Sequence, residues 1–189
     1  MVISKDEAEQ ALNEIHNAGK RIHTLQHYRD AAPYFVVWGS VWVIANCMTE
    51  FMPQWANVAW GVLCTIGALV STWLGIQASR QHVIIQSEAN QRGRQFGLTS
   101  LVIIGYIFAA FALLPHLDAK QGNAFISLFW AFIYAFMGIW VGKRILAIGA
   151  LTAIAILVGY FMMSAHYFLW MGLVTGSLLI LGGLWLRKV

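Results

Sequence analysis

The sequence predicts an all-α integral membrane protein: a six-transmembrane-helix bundle built of three hairpins and preceded by a cytoplasmic or interfacial amphipathic helix. Three observations predict it. First, 59% of the 189 residues are hydrophobic and only 11% are charged, where a soluble domain carries about 25% charged residues. Second, the apolar residues fall into six blocks of 19 to 24 residues, close to the roughly 20 needed to cross a ~30 Å hydrocarbon core. Third, the basic residues collect on one side of those blocks.

The blocks cover residues 31–51, 55–78, 96–117, 124–142, 145–164 and 167–186. None alternates polar with apolar residues, and each is about twice the length of a barrel strand. Nine Trp, six Tyr and eleven Phe suit a chain that meets the lipid–water interface repeatedly. With the N-terminus inside, eleven of the twelve Lys and Arg lie inside: Lys5, Lys20, Arg21, Arg29, Arg80, Arg92, Arg94, Lys143, Arg144, Arg187 and Lys188. Lys120 alone lies outside. The positive-inside rule therefore places both termini in the cytoplasm of a multi-pass protein of the cell membrane. The outside connections are short, at 51–54, 118–123 and 165–166, which is why the fold reads as three hairpins. The longest inside connection is 79–95, and it could extend the second helix into the cytoplasm. Cysteine labelling at Gln121 and at Gln91 is expected to report opposite sides of the membrane. Labelling of both from one side would sink the count of six.

Residues 1–30 form the remaining unit, and residues 31–189 the bundle. No short apolar core of a cleavable signal is present at the start. Ser4-Lys5-Asp6-Glu7 fits a capping box. Ala8, Ala11, Ile15, Ala18, Ile22 and Leu25 then recur at spacings of 3 and 4, which makes one apolar stripe. Along one flank lie His16, Lys20, His23 and His27, which are the expected lipid- or partner-binding residues. That flank gains positive charge as pH falls, because histidine titrates near neutrality. Asp30 and Pro33 are placed to start a new helix, proline being favoured in a first turn.

Chemistry is scarce. No Asp, Glu, Lys or Arg falls near the middle of a block, which argues against proton- or sodium-coupled transport and against an intramembrane aspartyl or metal protease. Asn46, Ser71, Thr72, Ser127, Thr152, Thr175 and Ser177 read as hydrogen-bonding groups between or along helices. No serine among them has a histidine beside it to act as its base. Cys47 and Cys64 have neither disulfide nor zinc spacing. His116 and His166 both fall at the outer interface, where two such side chains could hold haem or a metal ion; no other ligand types gather around them. No catalytic residue, metal or cofactor is expected. Gly67 with Ser71, Gly138 with Gly142 and Gly172 with Gly176 are small-xxx-small pairs, which let helix backbones approach closely within one chain or between copies.

The organisation, rather than any motif, resembles that of small bacterial six-helix membrane proteins, and implies an inner membrane. The expected partners are the lipid bilayer and either a second copy of the chain or another membrane or cytoplasmic protein, with no nucleic acid among them. The expected role is a self-associating sensor, regulator or accessory subunit acting through the N-terminal helix. The alternatives are a path for a neutral or hydrophobic small molecule, and a haem- or metal-binding redox protein.

Overall fold

The computed structural model describes residues 5–81, 86–114 and 116–188, and among these every regular element is helical. The expected start signal at Ser4 lies outside the described residues. Helix α1 is Lys5–Phe51, a single element of 47 residues. It is followed by α2 (Ala56–Gln81), α3 (Gln86–Leu113), α4 (Ala119–Val141) and α5 (Lys143–Met162). The last helix is built in three pieces: α6 (Tyr167–Trp170), a π-helical segment Met171–Gly176, and α7 (Ser177–Arg187).

Among the described residues, five stretches are long and apolar enough to cross a membrane: Thr24–Phe51, Pro53–Ala78, Ala119–Val141, Lys143–Met162 and Ser164–Arg187. The described apolar part of α3, Leu101–Leu113, is shorter. Helix α3 stops before the expected end at residue 117, and Pro115 accounts for this: the residue ahead of a proline is biased away from helical geometry. Helix α4 starts earlier than expected because Asp118 caps it. The Asp118 carboxylate accepts from the Gln121 amide at 2.6 Å, and Gln121 returns a bond to the Asp118 amide at 3.1 Å.

The expected break at Asp30–Pro33 does not occur, since α1 runs through Pro33 without interruption. An interior proline removes one backbone hydrogen bond and strains the preceding turn. Packing outweighs that cost here. Tyr28, Ala32 and Phe35, on both sides of the proline, are buried in the same core. A break between them would uncover one half of that face.

The core lies between α1, α4, α5 and the last helix. Trp42, Ile148, Ile156, Tyr167, Met171, Leu179 and Leu186 fill it. Among the described residues, the closest helix pairs are α4 with α5 and α1 with α7, followed by α1 with the π-helical segment and with α2. The three hairpins of the sequence reading are therefore not the tightest units. The α4–α5 turn is a single residue, Gly142, at φ 149°, a left-handed geometry that side chains resist. The Tyr28 ring fills the place a Cβ would take there, and its hydroxyl accepts from the Arg144 amide at 3.3 Å. Helix α2 lies on α1 with its other faces exposed. Helix α3 meets α4 through aromatic rings, Tyr106 stacking on Phe129 at 5.1 Å and Phe111 meeting Phe125 edge-on at 6.3 Å.

Candidate functional site

The ends of the helices hold the polar chemistry. One end gathers the last turns of α1, the first turn of α4, the end of α5 and the start of α6. Helix α1 brings Asn46, Thr49 and Glu50 there. They are isolated polar residues in an apolar block, and an apolar surrounding forces each to find a partner.

Asn46 is fully buried. Its amide donates to the Trp42 carbonyl at 2.9 Å. Its side-chain oxygen accepts from Asn123 of α4 at 3.0 Å, and the Asn123 oxygen accepts from the Tyr167 hydroxyl at 3.1 Å. Three helices are thus joined by one chain of hydrogen bonds. One turn further out, Glu50 holds the start of the last helix. One carboxylate oxygen lies 3.0 Å from His166 Nδ1, and the other accepts from the Leu169 amide at 3.3 Å. The Leu169 amide belongs to the first turn of α6, where helix N–H groups lack internal partners, so a carboxylate from α1 supplies what a local cap would. The pair is asymmetric: the Glu50 side chain is 14% exposed, the His166 ring 75%. Thr49 accepts from the Trp60 indole at 3.1 Å, which ties in α2.

Lys120 completes this end. Its ammonium donates to Ser164 Oγ at 3.1 Å and lies 4.7 Å from the centre of the Tyr160 ring and 5.4 Å from that of Tyr167. Ser164 thus accepts from Lys120, and His166 turns its Nδ1 to Glu50. The arrangement couples helices and presents a polar rim.

The opposite end is basic. Arg144 lies with its guanidinium 4.9 Å from the Trp185 ring centre and donates to the Trp185 carbonyl at 3.2 Å. Lys143, Arg187, Lys188 and Arg29 are exposed around it.

The structure distributes the sequence-predicted residues as follows. His16, Lys20 and His23 lie on α1, with side chains outside the described residues; His27 is exposed on the same helix. The glycines are used inside the chain. Gly67 sits against Val41 and Trp38 of α1, Gly138 against the backbone of Leu146, and Gly172 and Gly176 against Val43. Ser71 is half-buried, and its hydroxyl lacks a hydrogen-bond partner. His116 is exposed, and His166 is held by Glu50. Sequence reasoning missed Glu50, Asn123, Lys120 and Tyr167 as members of one site. The available signal was that all four, like Asn46, lie within a few residues of a block boundary on the same predicted side.

Comparison with protein-family models, with curated proteins and with solved structures finds no match for this chain. What the fold and the two ends define is a class: an all-helical bundle in which several helices are long and apolar enough to cross a membrane. Its polar groups are concentrated at the helix ends.

Proposed function

We propose that this chain is a non-enzymatic, self-associating membrane protein, a sensor, regulatory or accessory subunit that acts through its N-terminal helix. Both termini would face the cytoplasm across a bacterial inner membrane. The observation that carries the reading is the continuity of α1. One helix bears Glu50 and Asn46 at one end of the bundle and the apolar stripe at the other.

The stripe continues the core-facing side of α1. Ile15, Ala18, Ile22, Leu25, Tyr28, Ala32 and Phe35 follow one another at spacings of 3 and 4. From Leu25 onward the chain's own helices pack against this side. Before Leu25 nothing among the described residues does: Ile15 is 73% exposed and Ile22 57%. The stretch of α1 ahead of Thr24 would extend about 30 Å at 1.5 Å per residue. A helix that leaves the bundle without a break carries this stretch away from the bilayer plane, so lipid is a poor cover for it. A second helix covers it well, and a second copy of α1 presents the same stripe.

The test is intermolecular distance measurement by pulsed electron spin resonance in nanodiscs or liposomes. Cys47 and Cys64 are replaced by serine and a spin label is attached at exposed Gln26. A defined intermolecular distance is expected, and Ile15→Asp with Ile22→Asp should abolish it. Absence of any intermolecular coupling, or coupling indifferent to the two aspartates, would overturn self-association through this helix.

A further inference from the structure

We infer that the C-terminal end of α7 is a binding site for one anionic phospholipid of the adjacent leaflet. A shallow groove there is lined by Leu181, Leu184, Trp185, Arg187 and Lys188. Leu181, Leu184, Trp185 and Lys188 recur at i, i+3, i+4 and i+7, so they share one face of the helix. That face is uncovered: Leu181 is 65% exposed, and Leu184 and Trp185 are also exposed.

The order along the helix carries the argument. Leu181 and Lys188 are about 10 Å apart at 1.5 Å per residue. Over that distance the lining changes from leucine to indole to two cations. A phospholipid presents the matching sequence of acyl chain, glycerol and ester region, and phosphate. Indole rings favour the middle zone, and Arg and Lys extend their charged ends toward the headgroups. The indole is also held in place. Arg144, from the start of α5, stacks on Trp185 and bonds its carbonyl, which brings a third cation to the rim. Among the described residues, this end of the bundle carries Arg29, Lys143, Arg144, Arg187 and Lys188 against Asp30. The charge favours an anionic headgroup over a zwitterionic one. The inference rests on the bundle lying in a membrane and not on what the N-terminal helix does.

The experiment uses the full chain, delipidated in a neutral detergent, titrated with phosphatidylglycerol or phosphatidylcholine carrying brominated acyl chains. Quenching of Trp185 is taken as the difference between the wild type and Trp185→Phe. Saturable quenching is expected, with phosphatidylglycerol preferred by about twenty-five-fold, since each of two surface cations contributes a factor of about five. Arg187→Gln with Lys188→Gln should remove that preference, while Arg21→Gln, on the stretch of α1 ahead of Thr24 and not among the groove's lining, should keep it. Inorganic phosphate should not displace the lipid. Equal affinity for the two lipids, equal loss with Arg21→Gln, or displacement by phosphate alone would each overturn the proposal. The last outcome would mean that the cations read a bare phosphate ion without the acyl groove.

Discussion

Gly149→Val and Gly138→Val are each expected to cost more than about 3 kcal/mol, beyond the usual range for overpacking a core. Most of the protein should be lost to aggregation on mild heating. The reason is how closely α4 and α5 approach. A Cβ on Gly138 would collide with the amide and Cα of Leu146, and a Cβ on Gly149 with the backbone of Ala135 and, at 2.8 Å, the Ala131 carbonyl. Each helix places a glycine against the backbone of the other, and the fully buried Ala131 continues the contact. A flexible side chain could swing aside, but a backbone can yield only if the helix moves. The single-residue connection at Gly142 leaves little slack for that. The comparison is with Gly61→Ala and Gly105→Ala, where an added Cβ meets nothing within 4 Å. Alanine there should be neutral or stabilise by about 0.5–1 kcal/mol, because glycine is a poor helix former. Thermal unfolding in detergent, followed by tryptophan fluorescence, ranks the four variants. If the valine variants melt with the alanine variants, the close crossing of α4 and α5 is wrong.

These contacts mark the boundary of what the sequence allowed one to read. Membrane spans are legible because lipid requires an unbroken apolar block whatever lies beside it, so the stretches within α1, α2, α4, α5 and the last helix could be located by composition alone. Which helix faces which is a different matter. GxxxG spacing singled out Gly138, Gly142, Gly172 and Gly176, and all four are tightly packed. Gly39 and Gly149 stand outside any such pair and are packed just as closely, Gly39 against the Gly176 carbonyl at 2.9 Å. Spacing along one helix records only half of a crossing. Pro33 misled for a related reason. Its local preference suits a helix start, but Tyr28 and Phe35 are buried in one core and hold the helix through it. At Asp118 the local signal was present and sufficient: Asp118 with Gln121 three residues on is a capping box in the sequence itself. It lay in what read as an outside loop.

The polar end was the least legible part, and it carries the second large expected effect. Asn46→Leu should destabilise the protein by about 1–3 kcal/mol, although leucine is the better residue for an apolar helix. Two effects oppose each other. Leucine removes a buried amide that is costly to place in an apolar interior. It also strips Asn123 of its acceptor at 3.0 Å and thereby loosens the Tyr167 hydroxyl bonded to the Asn123 oxygen. The second effect wins because one polar group leaves while its partners stay behind. Replacing both amides should then restore part of the loss: Asn46→Leu with Asn123→Leu is expected to be less destabilising than the sum of the two single changes. The coupling expected is about 0.6 kcal/mol and at most about 1.7, the range of such pairs within membranes. Tyr167→Phe should couple to Asn123→Leu in the same sense. Thr152, whose hydroxyl bonds within its own helix to the Ile148 carbonyl at 2.7 Å, should show no coupling to Asn46. Unfolding free energies measured in bicelles for the singles and doubles decide it. Zero coupling between Asn46 and Asn123 would mean that the bond between them does not hold α1 against α4, leaving Glu50 and apolar packing to join the helices at this end.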